Sequence, residues 1–303
     1  MPTLQEHVYT FHALGCDCDI AIVSTDVPAA DNAYLTIHNT VETYDHTFSR
    51  FRAESELSIL NIAKEITPSE RFYTVLQLAQ ILWRETHGAY NALVQIAQHG
   101  YTTSFDKLQH TAASGATGAR ADTNWAHVTI TPDRITLGEH QRVDVAGLLK
   151  GYLAHILADT VMAYDAISGV IINLGGDIAT RGTDSTGAAF TFDIFNPITE
   201  DTITVTLSEK SLATSGTYRR RWRGAGDAPH APMRHHILSP DTQRNPSPDI
   251  ISASVIHPDG ARTDAYATAA IIMGHAKAVQ FLSHAQCNFV LIAQDGTVTQ
   301  NVR

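Results

Sequence analysis

The spacing of hydrophobic positions changes several times along this chain, and each change marks an element. Residues 8–24 alternate apolar and polar around Gly15, which predicts two strands joined at that glycine. Residues 32–48 place Leu35, Val41, Tyr44 and Phe48 at helical spacing and predict an amphipathic helix. Ser55 stands as a cap before a short helical stretch ending at Asn61, and a stronger helical run over 72–87 stops at Gly88. Residues 111–122 are rich in Ala, Gly, Ser and Thr and read as a mobile surface loop. Strands are expected at 125–131 and 134–137, joined by a Pro132-Asp133 turn. Residues 143–163 run from a strand into a long apolar helix interrupted at Gly147 and Gly151. Strands follow at 169–173, 190–195, 202–207 and 253–257, the first closed by the turn Leu174-Gly175-Gly176-Asp177. The Gly/Pro/His-rich residues 224–232 read as a loop, 263–273 as an apolar helix, and 288–302 as a hairpin turning at Asp295-Gly296. Strands come in groups with helices between the groups, not in regular βαβ alternation. The expectation is an α+β fold with mixed, largely antiparallel sheets. No linker divides residues 1–303, so they read as one domain or as two entwined subdomains.

Composition narrows the class. A net charge of −10 over 303 residues argues against non-specific binding to nucleic acid or anionic lipid. No run approaches the roughly 20 apolar residues of a membrane span. The start, Met1 to His7, lacks a basic segment followed by an apolar run, so the chain reads as cytoplasmic, or as exported if a leader has been trimmed. Cys16, Cys18 and Cys287 are odd in number, and Cys16 and Cys18 are too close for an unstrained bridge. Buried thiols in a strand are the better reading than half a metal site.

Four segments could carry chemistry. In Asp144-Val145-Ala146-Gly147-Leu148-Leu149-Lys150-Gly151-Tyr152, an acid precedes a helix start with a glycine and a lysine beside it, which suits a phosphate. A plain strand–helix junction, with Asp144 as cap and Lys150 solvated, explains the same residues. Asp264 and Thr268 are four apart, so a helix puts both oxygens on one face, as a Mg²⁺ site needs. Alternatively Asp264 caps that helix and Thr268 bonds back to a carbonyl. In His235-His236-Ile237-Leu238-Ser239-Pro240-Asp241, a histidine in a loop beside a proline turn is a candidate base near neutral pH, although with 16 histidines in the chain any one of them is more often incidental. Residues Ala213 to Tyr218 read as a small-residue turn able to press backbone N–H groups onto an anion. Arg219, Arg220, Arg221 and Arg223 after it read as a solvated face, with phosphate steering as the alternative. No Ser-His-Asp order, cysteine-nucleophile motif or GxGxxG fingerprint occurs.

The order of these segments is more specific than any one of them. Leu14-Gly15, Phe48-Ser49-Arg50-Phe51, Ser55-Glu56-Leu57, Leu60-Asn61 and Gly88-Ala89-Tyr90 are followed by Asp144 to Tyr152 and Asn173-Leu174-Gly175-Gly176-Asp177. Ala213-Thr214-Ser215-Gly216, His236-Ile237-Leu238, Asp264 to Ala269 and Met273-Gly274 complete the set. Together they resemble the FAD:protein FMN transferase (ApbE) family over nearly the whole chain. The resemblance implies an ApbE-like catalytic domain that takes FAD as substrate, Mg²⁺ as cofactor, and an acceptor protein with an FMN-binding domain. It puts Leu14, Phe51, Ala89, Tyr90, Asn91, Asp144, Lys150 and Leu238 at positions that contact FAD. It makes the Gly147 carbonyl and the Asp264 and Thr268 side chains Mg²⁺ ligands, and His236 the catalytic histidine. Two departures stand out. The family's Phe-Asp-Pro is Tyr90-Asn91-Ala92 here, and its Asp-Pro-x-Thr-Gly is Ser239-Pro240-Asp241-Thr242-Gln243.

The reaction so implied moves FMN from FAD onto a Thr or Ser hydroxyl of the acceptor and releases AMP. Two rivals share the residues: a Mg²⁺-dependent FAD pyrophosphatase giving FMN and AMP, and a flavin-binding protein without catalysis.

Overall fold

A computed structural model describes residues 3–96, 121–223, 233–246 and 249–302. The loop expected at 111–122, apart from its last two residues, and the loop expected at 224–232 lie outside the described residues. The N-terminal half runs β1 (Gln5–Ala13), β2 (Cys16–Ser24), α1 (Val27–Phe48), α2 (Glu56–Ala63), β3 (Glu65–Ile66), α3 (Glu70–Glu85), β4 (Thr129–Ile130), β5 (Ile135–Thr136) and α4 (Ala146–Met162). There follow β6 (Ile167–Leu174), β7 (Asp177–Gly182), β8 (Phe190–Phe195), β9 (Thr202–Leu207), β10 (Ser211–Gly216), β11 (Arg221–Trp222) and β12 (Arg234–His235). The chain closes with β13 (Ile250–His257), α5 (Gly260–Met273), α6 (His275–His284), β14 (Asn288–Ala293) and β15 (Val298–Gln300).

Eight strands form the main sheet in the order β1-β2-β6-β7-β10-β13-β14-β15. Every pairing among the described strands is antiparallel, as the α+β reading requires. Side-chain alternation explains the layering. On β14, Phe289 and Leu291 enter the large core formed with α1, α3, α4 and α5. Val290 and Ile292 face the opposite way, into a smaller core capped by the β8–β9 hairpin through Ile194, Val205 and Leu207. No described helix is long and apolar enough to cross a membrane.

Local chemistry moved several boundaries. α1 begins at Val27, ahead of the expected start, because Asp26 caps it by accepting from Ala29 N and a proline occupies its first turn. The strand expected at 125–131 begins instead as a 3₁₀ turn over Trp125–His127. Asn124 Oδ1 accepts from Ala126 N, and such local side-chain bonds compete with a sheet ladder. Residues 143–145 are not a strand, because their backbone partners lie elsewhere. Asn61 accepts from Val143 N (2.7 Å) and donates to Val143 O (2.9 Å), while Asp144 N donates to Ala92 O (2.8 Å). The helix break falls at Gly147 alone (φ −90°, ψ 18°), and α4 continues through Gly151. The small-residue segment expected as a turn is strand β10, paired with β13.

Gly151 serves packing. A β-carbon there would lie 2.8 Å from Asp264 Cβ and would strike the Gly260 carbonyl, so α4 and α5 cross with glycines at the contact. That close approach carries Asp264 against α4. Gly151→Ala is expected to cost about 3 kcal/mol of stability through overpacking. Urea denaturation checks this, and an unchanged midpoint would contradict the tight crossing.

Candidate functional site

One cavity of ≈ 960 Å³ opens where the N-terminus of α4, the side of α5, the β6–β7 turn and the segment after β12 converge. All twelve site residues implied by the family resemblance line it. Leu14, Phe51 and Leu238 supply apolar wall, and Ala89, Tyr90 and Asn91 enter from the segment after α3. Asp144, Gly147 and Lys150 come from the α4 junction, Asp264 and Thr268 from α5, and His236 from the segment after β12.

Backbone geometry explains several placements. Leu14 and Gly15 take φ 55° and 68° in the two-residue β1–β2 turn, as a type I′ hairpin demands, and this tip borders the cavity. The β6–β7 turn uses Gly175 (φ 69°) and Gly176 (φ 99°), and a β-carbon on Gly175 would lie 2.7 Å from Cys16 Sγ. This turn delivers Asp177, a residue to which neither periodicity nor motif spacing assigns a role. Asp177 is buried and pairs with Lys150 Nζ. Burial alone would lower the lysine's pKa, but the carboxylates of Asp177 and Asp264 outweigh it and hold the value above the ordinary one. Lys150 is therefore not solvated, which removes the plain-junction reading.

Asp144 is not the helix cap, because that position is Val145. Its Oδ1 accepts from Ala146 N (3.0 Å) and its Oδ2 from Arg50 Nη1 (3.2 Å). Asp264 does not cap its helix either, since Asp259 does, accepting from Arg262 N. Asp264 is 6% exposed and its Oδ2 has no partner. Burial, then the neighbouring Asp177, push its pKa up to about 8 against the opposing effect of Lys150. Thr268 Oγ1 meets Ser215 Oγ at 2.9 Å and not a helix carbonyl. A β-carbon on Gly147 would lie 3.9 Å from Thr268 Oγ1, so the α4 break and the α5 hydroxyl are neighbours.

Among the described residues no three His, Cys, Asp or Glu cluster as a metal cage. Instead, one orphaned carboxyl oxygen, a hydroxyl and the backbone of a helix break line the same cavity, and oxygen donors of this kind suit a hard cation. These residues fit Mg²⁺.

The Nδ1 atom of His236 is buried without a partner. Burial first, then the nearby Arg220, His235, Lys150 and Arg50, lower the pKa of its ring to about 3. Asn245, which the sequence reading did not single out, fixes this segment. Its Nδ2 donates to the carbonyls of His235 (2.6 Å) and Ile237 (2.8 Å), and its Oδ1 accepts from His235 N (3.2 Å). Arg219, Arg220 and Arg221 line the cavity; Arg219 and Arg221 are also exposed, in keeping with a solvated face, and Arg220 is half-buried. Cys18 is buried in β2 and Cys16 half-buried at its start, both as free thiols.

Both departures from the family pattern have local partners. Asn91 Oδ1 accepts from Leu93 N and Trp125 Nε1, and its Nδ2 donates to Thr123 O (3.0 Å), a bond an aspartate could not make. Gln243 stands where the family has Gly and takes φ 52°, the left-handed backbone glycine favours. Its side chain offsets that strain by bonding Ala121 twice, accepting from N (3.0 Å) and donating to O (2.6 Å).

Fold and cavity together define an α+β protein whose cavity gathers a half-buried lysine, arginines and an unpaired carboxyl oxygen, groups of the kind that suit an anionic ligand. The ApbE family model matches residues 14–291, and the chain belongs to the ApbE family. Among its relatives, the FAD:protein FMN transferase of Klebsiella pneumoniae (strain 342) is 22% identical, over 91% of this chain and 81% of the relative. The FAD:protein FMN transferase of Treponema pallidum is 24% identical, over 89% and 79%. An ApbE protein from Thermotoga maritima superposes with a TM-score of 0.83 at 21% identity, covering 98% of this chain and 97% of that one. The Pseudomonas stutzeri flavinyl transferase ApbE superposes at 0.82 with 16% identity, covering 99% and 95%.

Proposed function

We propose that this chain is an FAD:protein FMN transferase that moves FMN from FAD to a Thr or Ser hydroxyl of an acceptor protein and releases AMP, with Mg²⁺ required. The observation that carries the proposal is the orphaned Asp264 carboxylate facing the same cavity as Lys150, Thr268 and the helix break at Gly147. Asp264, Thr268 and the Gly147 carbonyl would hold Mg²⁺, which when bound would supply positive charge to offset that of the pyrophosphate oxygens.

The chain's own residues do the rest. Lys150 and Arg220 bring positive charge to the phosphates. Leu14, Phe51 and Leu238 offer apolar surface to the rings, and Ala89, Tyr90 and Asn91 bound the ligand from the α3 side. The acceptor oxygen attacks the FMN-side phosphorus, the bond from that phosphorus to the bridging oxygen breaks, and AMP departs with that oxygen. His236, neutral in the free protein, takes the acceptor's proton at an imidazole nitrogen. The redox chemistry of the flavin is not used.

The test is mass spectrometry of an FMN-acceptor domain incubated with the protein, FAD and Mg²⁺, with free nucleotides followed in parallel. The expected result is an acceptor heavier by one phosphoester-linked FMN, with an equal amount of AMP. Free FMN and AMP beside an unmodified acceptor would replace this reading with a pyrophosphatase.

A further inference from the structure

We propose that the Tyr90 hydroxyl is a ligand-binding donor, which hydrogen-bonds a phosphoryl oxygen of the bound dinucleotide. This inference rests on the FAD reading above and adds a recognition element to that site. Tyr90 is 3% exposed and lines the cavity, and its hydroxyl oxygen is buried with no hydrogen-bond partner. A buried donor with nothing to donate to is unfavourable, and a phenylalanine, the residue of the family pattern, would fill the same space without that cost.

Tyr90 N donates to Thr86 Oγ1 (3.1 Å), and Thr86 Oγ1 donates to Leu82 O (2.7 Å), which ties the residue to the end of α3. Its ring stands over the α4 break, with Cε2 3.3 Å from where a Gly147 β-carbon would be. That is the end of the cavity where Gly147 and Thr268 meet. The nearby acceptor Asp264 Oδ2 is also unpartnered, so the phenol is not spent on it. An unspent donor beside the set that would hold the cation, in the cavity that Lys150 also lines, fits an oxygen-rich anion. The phosphates are that part of FAD.

Tyr90→Phe separates this role from a structural one. Three measurements compare the variant with wild type: thermal unfolding without ligand, FAD affinity by calorimetry with Mg²⁺ present, and ³¹P NMR of bound FAD. The expected result is an equal or higher ligand-free Tm, FAD binding weaker by roughly tenfold, the loss of one hydrogen bond to a charged acceptor, and shifted phosphate resonances. Equal FAD affinity in both proteins would overturn the proposal. So would unchanged ³¹P resonances, or a lower ligand-free Tm, which would mean that the hydroxyl serves the fold. Failure of wild type to bind FAD would sink the transferase reading itself, and this inference with it.

Discussion

Asp264→Asn is expected to abolish Mg²⁺-dependent transfer and to stabilise the ligand-free protein. The same burial underlies both effects. A carboxylate with one unpartnered oxygen, close to the charge of Asp177, has its pKa raised to about 8. Between the unfolded carboxyl value, near 3.8, and 8 the folded chain holds a proton that the unfolded chain has released. Asp264 thus contributes nothing unfavourable at pH 3, and stability is lost as pH rises through that window. Near pH 8 the penalty is on the order of a few kcal/mol, and asparagine removes it. The variant's Tm should exceed that of wild type by a gap that widens from pH 4 to pH 8, while calorimetry detects no Mg²⁺ binding with FAD present. An Asn variant that still transferred FMN in a Mg²⁺-dependent way would break the metal assignment. A stability gain bought by losing function is what a site strained for its ligand predicts.

His236→Ala is expected to lower transfer by about 10²–10⁴-fold while FAD still binds. The ring nitrogen Nδ1 is unpartnered, and the segment around it is clasped on both sides by Asn245, so the imidazole is held ready with no competing bond at that atom. Its pH signature runs opposite to that of Asp264. Burial, reinforced by Arg220, lowers the pKa of His236 to about 3, and burial together with Arg221 lowers that of His235 to about 4. Both histidines are neutral when folded and protonate near 6.5 when unfolded, so their contribution is complete above pH 6.5 and is lost as pH falls toward 3. The alanine variant should therefore show a shallower loss of Tm than wild type between pH 6.5 and pH 4. Phosphates next to Arg220 and Lys150 offset part of the charge that depresses His236, so FAD should raise its pKa, which NMR titration of the ring can follow. Wild-type transfer rates in the alanine variant would exclude His236 as the base.

Much of this protein was legible without coordinates, because the relevant signals are local. Strand alternation over residues 190–195 and 202–207 marked β8 and β9 at their observed bounds, since a half-buried strand must alternate. Ser55 was readable as the cap of α2 from its residue type alone, and its side chain accepts from Ser58 N. The four-residue spacing of Asp264 and Thr268 put two oxygens on one helix face, and the order of motifs along the chain pointed to one family.

What the tertiary structure decided are relations between residues far apart in sequence. Whether Asp264 capped a helix or faced the cavity depended on Asp259 taking the cap and on Gly151 and Gly260 letting two helices touch. Whether Lys150 was solvated depended on a glycine turn that delivers Asp177 from another strand pair. Asn61 replaced an expected strand by bonding Val143 across 82 positions, and Asn245 acquired its role only because β12 brings His235 back beside it. No periodicity encodes such contacts, because a side-chain amide that satisfies a distant backbone leaves no pattern along the chain. Local order is set by residue type and spacing, whereas burial, charge pairing and the shifted protonation of His236 and Asp264 follow from which segments the fold brings together.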